Sequence, residues 1–289
     1  MHTGPGYRGY ESFELRNPFR LIIDLHGSRP GEFSEHVRPT ERDPSQIIIV
    51  IDPGHGGVEE GAEGPTGLLE KDITLDLSRR LKQMLDGDPS INVVLTRDEN
   101  RLVGLDERTA IANHNQADLF LSIHLNASTR SNAAGAETYF LSADATDDEA
   151  RTLAALENRA FGVDRQSIVT SDDQRRGLDL VLWDLAQNQY IAQSSLLAES
   201  VQRHMNELTG IRDRGVRQAP FRVLMGATMP AILVEVGFIT NPDEEERFKS
   251  LAYRNRIVDA LASAVYDFLR DLERVSQPGG SDTSATGGP

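Results

Sequence analysis

His55 stands in Ile47-Ile48-Ile49-Val50-Ile51-Asp52-Pro53-Gly54-His55-Gly56-Gly57, and His124 in Leu119-Phe120-Leu121-Ser122-Ile123-His124-Leu125-Asn126-Ala127. Each follows or ends an apolar run, and Ile47–Ile51 is apolar throughout and β-branched, as a strand covered on both faces should be. In open α/β sheets, ligands collect outside the carboxyl ends of the strands. Two imidazoles delivered there are placed to share a metal ion. Taken singly, each histidine also reads as a loop residue bonded to its neighbours.

A third candidate, Glu70, lies in Gly64-Pro65-Thr66-Gly67-Leu68-Leu69-Glu70-Lys71-Asp72, at the mouth of an expected helix. Two neutral imidazoles and one carboxylate form the His₂Glu set that binds catalytic zinc and leaves a fourth position open for water. A fourth candidate, Glu235, ends the apolar run Pro230-Ala231-Ile232-Leu233-Val234-Glu235. A carboxylate buried there needs a partner or a purpose, because desolvating a lone charge is expensive. Zinc held by His55, Glu70 and His124 would activate water and polarise a carbonyl. Glu235 would move the proton from that water to the leaving amine.

These pieces, in this order, resemble the zinc-dependent amidase-3 family of N-acetylmuramoyl-L-alanine amidases. The motifs are Asp52-Pro53-Gly54-His55-Gly56-Gly57, Glu70-Lys71, Ser122-Ile123-His124-Leu125-Asn126-Ala127, Gly215-Val216-Arg217-Gln218-Ala219-Pro220-Phe221 and Val234-Glu235-Val236-Gly237-Phe238. The resemblance covers roughly residues 45 to 272. It implies one Zn2+ per chain and peptidoglycan as substrate. The bond cut is the amide between N-acetylmuramic acid and L-alanine, for septal wall splitting in the periplasm or cell envelope. Two alternatives stand beside it: a zinc carboxypeptidase-like peptidase acting on stem peptides, and an inactive wall-binding or regulatory module.

The elements that must position these residues alternate from Ile47 onward as strand and helix, which predicts a three-layer α/β/α domain with a mixed, mainly parallel twisted sheet. Strands are expected at Ile47–Ile51, Ile91–Leu95, Leu119–His124, Ala136–Leu141 and Ala231–Glu235. Helices are expected over Lys71–Leu85, Leu105–His114, about Leu178–Leu208 and, as a pair, Pro242–Leu272. The first carries Ile73, Leu77, Leu81 and Met84 on one stripe, and the last carries Ile257, Leu261, Val265 and Phe268.

The catalytic domain is expected at 46–273. Residues 1–45 contain one apparent strand, Asn17–Leu25, and a Pro-bearing polar linker. The resemblance implies that they are the remnant of an all-β envelope-targeting domain; an arm packed on the catalytic domain is the competing reading. Residues 274–289 are Gly/Ser/Thr-rich and expected to be disordered. No signal peptide is apparent, so an exported protein would have lost its leader. The net charge of −15 argues against nucleic-acid binding, which needs clustered Lys and Arg. The absence of cysteine excludes thiolate zinc sites, and no apolar stretch is long enough to span a bilayer.

Further candidates carry an alternative reading each. Asp52 is expected to accept backbone or His55 N–H bonds and so orient that ligand. Asn126 contacts substrate or holds its loop, and Arg217 with Gln218 grips a peptide stem or forms a surface salt bridge. Gly54, Gly56 and Gly57 lack the Gly-Lys-Ser/Thr of a phosphate loop and instead permit a sharp turn. Ser122 lacks a nucleophile elbow and reads as structural, as do His2, His26, His36, His114 and His204.

An insertion is expected at about 146–177, its first part, Asp147–Arg159, a helix with Leu153, Leu156 and Ala160 inward and Glu157 on the same stripe. The resemblance implies that Glu157 is an inhibitory fourth zinc ligand, held until an activator protein displaces the helix. A salt bridge from Glu157 to Arg151 or Arg165 is the competing reading.

Overall fold

The computed structural model describes residues 7–15, 20–27, 43, 46–159, 190–207 and 213–276, and the chain divides into two units, Met1–Pro44 and Ser45–Pro289. In the first unit β1 (Tyr7–Leu15) pairs antiparallel with β2 (Arg20–Gly27), so that Phe13 lies opposite Ile22. The sequence pattern predicts only the second of these. Charges and Gly9 interrupt β1, leaving no apolar run to announce it. Residues 277–289 and most of the proposed linker lie outside the described residues, as do His2 and His36, whereas 274–276, expected to belong to a disordered tail, are the last turn of a helix that ends at Ser276.

The second unit is built on β3 (Ile47–Pro53), β4 (Ile91–Leu95), β5 (Leu119–Asn126), β6 (Ala136–Leu141), β7 (Asp213–Ala219) and β8 (Ala231–Phe238). Their order is β4-β3-β5-β8-β6-β7. All neighbours are parallel except β6 and β8, which run antiparallel. This one reversal brings the starts of β6 and β7 to the same sheet edge as the carboxyl ends of β3, β5 and β8. The sheet is mixed and mainly parallel, as predicted, but β7 is an addition: Asp213-Arg214-Gly215-Val216-Arg217-Gln218-Ala219 is too polar to read as a strand.

Helices cover both faces. One core lies beneath α1 (Glu70–Leu85), α4 (residues 190–207) and α6 (Leu251–Ser276), around Leu77, Leu81, Leu121, Val234, Val201 and Leu261. The other lies beneath α2 (Leu105–His114) and α3 (Asp148–Glu157), around Phe120, Tyr139, Leu153, Phe221 and Leu233. In α1 the buried stripe is Ile73, Leu77, Leu81 and Leu85, whereas Met84, expected inward, is 41% exposed. The 3.6-residue period carries the stripe to Leu85 at this point.

Helix starts are capped at the chemically busy edge. Asp147 accepts from Ala150 N–H at the start of α3. Asn241 accepts from Asp243 and Glu244 N–H at the start of α5 (Pro242–Lys249), with Pro242 in its first turn. Among the described residues no helix is long and apolar enough to cross a membrane.

Candidate active site

The turn after β3 presents His55 with φ +58°, a left-handed conformation that costs a residue with a Cβ about 1–3 kcal/mol unless its surroundings fix it. Two buried arginines supply that constraint. Arg97 donates to the carbonyls of Pro53 and Gly54, and Arg108 to those of Pro53 and His55. Asp52 holds Arg108 from below at 2.7 Å, and its carboxylate also accepts from Thr96 and Ser122 hydroxyls. Burial alone would raise its pKa, but Arg108 and the hydroxyls hold it below the ordinary carboxylate value.

Glu70, the first residue of α1, points back across the strand ends. One oxygen accepts from Leu125 N–H at 2.9 Å and lies 3.1 Å from His124 Nδ1. The other accepts from Ala62 N–H at 2.8 Å and lies 3.2 Å from His55 Nε2. Its burial would favour the neutral acid, yet the two imidazoles keep it ionised well below the usual range. From α3, a single oxygen of Glu157 stands 3.3 Å from His55 Nε2 and 3.4 Å from His124 Nδ1. Burial would lower the pKa of His55, but Glu70 and Glu157 raise it well above its ordinary value.

The donor set fits a metal ion. Bonds of about 2.0–2.1 Å to a tetrahedral zinc imply ligand-to-ligand edges of roughly 3.3–3.4 Å. The one Glu157 oxygen lies 3.3 and 3.4 Å from the two imidazole nitrogens, while Glu70 turns one oxygen to each imidazole, at 3.2 and 3.1 Å. His55, His124 and Glu157 alone bring their ligand atoms within 4.8 Å of one another. Two carboxylates around two imidazoles also answer the charge of a divalent cation.

Glu235 completes the group. It is the strand partner of His124 across β5 and β8 and of Glu137 across β8 and β6, so the three side chains form a row on one face. Glu235 is fully buried, and among the described residues neither of its oxygens has a hydrogen-bond partner. Burial, then the charges of Glu157, Glu70 and Glu137, push its pKa well above the ordinary value. It is a carboxylate held ready for a proton.

Residues 49–267 match the sequence profile of the amidase-3 family, the N-acetylmuramoyl-L-alanine amidases. The chain belongs to this family. The amidase is 34% identical to AmiA of Escherichia coli (strain K12) over 235 residues, 81% of this chain and 80% of that protein. It is 28% identical to AmiC of Escherichia coli O6:H1 over 275 residues, 92% of this chain but 64% of AmiC. Among solved structures it resembles an N-acetylmuramoyl-L-alanine amidase from Clostridium difficile 630, with TM-score 0.59 and 29% identity over 78% of this chain and 98% of that one. AmiC2 of Nostoc punctiforme gives TM-score 0.57 and 30% identity over 78% and 97%.

Within the amidase the remaining sequence candidates fall in different places. Asp52 reaches the His55 turn through Arg108, not by the direct N–H bonds expected of it, because Arg108 and two hydroxyls take its oxygens. Asn126 is buried, donates to Glu137 and accepts from Ile239 N–H through its carbonyl. Arg217 meets Asp147 and Glu149 at the start of α3, and Gln218 pairs through its backbone with Thr146. His204 is bound to Asp267 between α4 and α6, away from this edge. On α3 the inward stripe is Ala150, Leu153 and Ala154; Leu156, expected inward, is 53% exposed, and Ala160 lies outside the described residues. Of the alternative partners for Glu157, Arg151 pairs with Asp148 and Arg165 lies outside the described residues.

Sequence reasoning misses Arg97, Arg108 and Glu137. The only signal for the arginines is position: Arg97 follows the end of β4, and Arg108 lies on the helix after that edge. Glu137 is hidden in β6, where it accepts from Tyr139 hydroxyl at 2.5 Å and from Arg214.

Proposed function

We propose that this amidase hydrolyses the amide joining N-acetylmuramic acid to L-alanine in peptidoglycan, using one zinc ion held by His55, Glu70 and His124. The observation that carries the reading is the unpartnered, buried Glu235 beside a His/His/Glu cluster whose spacings suit a tetrahedral ion. A zinc ion held there supplies Lewis acidity, making water a nucleophile near neutral pH. Glu235 takes a proton from the attacking water and returns it to the L-alanine nitrogen as the C–N bond breaks. Its raised proton affinity favours the first half of that exchange, the uptake of the proton.

Glu157 is proposed as an inhibitory fourth ligand. Its oxygen lies at ligand spacing from both imidazoles, and α3 is tied down at its far end, where Asn158 donates to Pro220 carbonyl and accepts from Arg222 N–H. Displacement of α3 by an activator protein would open the site. A role in splitting septal wall within the cell envelope belongs to the same proposal.

Digestion of purified peptidoglycan, with and without chelator, followed by mass spectrometry tests the reaction. Free stem peptides beside intact glycan are expected, only without chelator. Shortened stems would make the protein a peptidase, and wall binding without products even from the zinc-loaded Glu157→Ala variant would make it a binding module.

A further inference from the structure

The strands next to Glu235 carry a cationic cluster that the chemistry above leaves unused. Arg214 and Arg217 of β7 are largely buried, with side chains 14% and 15% exposed. Arg214 donates to the fully buried Glu137 and lies over the Phe238 ring, 5.1 Å from its centroid. Arg217 comes to 3.9 Å of the same carboxylate. Two guanidinium groups therefore share one fixed carboxylate, leaving one positive charge uncompensated by the sheet. Two acids at the start of α3 answer it. Arg214 meets Glu149 at 2.9 Å, and Arg217 meets Asp147 at 3.1 Å and Glu149 at 3.4 Å.

An ordinary surface salt bridge contributes little, and it joins two mobile side chains. Here one side is set into the sheet, while the acids are 44% and 50% exposed. Moreover, the helix that carries these acids is the one that carries Glu157. Any displacement of α3 uncovers the arginines together with the zinc ligands.

We propose that Arg214 and Arg217 form a carboxylate-binding subsite for the peptide side of the substrate, and that Asp147 and Glu149 occupy it as stand-ins for the substrate's carboxylates. The proposal rests on the amidase reading. β7 lies two strands from β8, roughly 10 Å at about 4.8 Å per strand. That separation corresponds to about two to three extended residues. A peptide with its first amide at Glu235 thus presents a carboxylate of its second or third residue to the arginines. Arg is suited to this task because its planar fork binds carboxylates through paired hydrogen bonds.

The test uses a soluble muropeptide with free stem carboxylates and the same compound with those carboxylates amidated. Hydrolysis is followed with the wild-type and Glu157→Ala chains, and binding by calorimetry with full-length Glu235→Gln protein, whose turnover should be too slow to disturb the titration. The free-carboxylate form should bind about tenfold tighter than the amidated form. Adding Arg217→Gln should erase that preference, and Arg217→Lys should restore part of it. Asp147→Asn with Glu149→Gln should strengthen binding of the free form several-fold, and more than that of the amidated form. Equal binding of both forms, or a preference that survives Arg217→Gln, overturns the subsite. Equal strengthening of both forms by the α3 double change overturns the stand-in role. Failure of the zinc-loaded Glu157→Ala chain, whose site is opened, to hydrolyse either form would instead refute the amidase reading.

Discussion

Gly54 packs against the face of His124 so closely that a Cβ at position 54 would stand 2.6 Å from the ring's Cε1 and 2.7 Å from Nε2. The ring stands on β5, and Gly54, directly after β3, donates its N–H to the Ile123 carbonyl next to it, so neither can retreat without disturbing the end of the sheet. Gly54→Ala should therefore displace the imidazole and weaken zinc binding at least about tenfold, the usual size of disturbance when a ligand loses its orientation. Titration against a competing chelator measures it; unchanged affinity would show that His124 is not a ligand.

Removing His55, Glu70 or His124 by alanine should abolish zinc binding and activity together, because three protein ligands leave no reserve. Glu235→Gln should behave differently. It should keep stoichiometric zinc while losing about 10²–10⁴-fold in turnover, as expected for a general acid–base. Metal analysis and initial rates on the same preparations separate the two classes, and a wild-type rate for Glu235→Gln would place the base elsewhere.

Glu157→Ala should raise basal activity on peptidoglycan at unchanged zinc content. The removed oxygen lies between the two imidazoles, so the change opens a coordination position without touching His55, Glu70 or His124. Equal or lower activity in a folded, zinc-loaded variant would assign Glu157 a purely structural role.

Acid stability should report on Asp52. Its folded pKa lies below the ordinary value, so the stability it contributes is present in full above about pH 4 and is lost as pH falls through the depressed folded value. Arg108→Met should cost about 3–5 kcal/mol at neutral pH, since Asp52 is left as an unpaired buried charge. The double change Asp52→Asn with Arg108→Met should recover much of that loss and flatten the acid limb. Thermal unfolding between pH 3 and 7 is the measurement, and equal losses for single and double variants would refute the pairing.

The parts of this architecture that were legible in sequence are those whose signal is local. β3, β5 and β8 announce themselves because strands buried on both faces must be apolar along their length, and the chemical residues stand out as interruptions of such runs. The polar β7 gives no such signal. Its place in the sheet depends on Arg214 and Arg217 finding Glu137, Asp147 and Glu149, residues remote in sequence. Arg97 and Arg108 are illegible for the same reason: a charged residue in a polar stretch looks solvated until the carbonyls it serves are known. The misplacement of Leu156 and Met84 is of a different kind. Each lies one position from the buried stripe, and hydrophobicity alone does not set a helix's rotation.

The arginine contacts to Pro53, Gly54 and His55 separate two events that are often one. Where a metal organises its own ligands, chelation unfolds the protein, and the binding energy is consumed in ordering the chain. In this amidase the His55 turn is held by guanidinium groups anchored in the fold, and Glu70 is oriented by two backbone amides. Under the proposed zinc reading, the ion would meet a socket already formed by the fold. The protein is then expected to fold without its metal, and removing the metal should stop hydrolysis while the architecture persists.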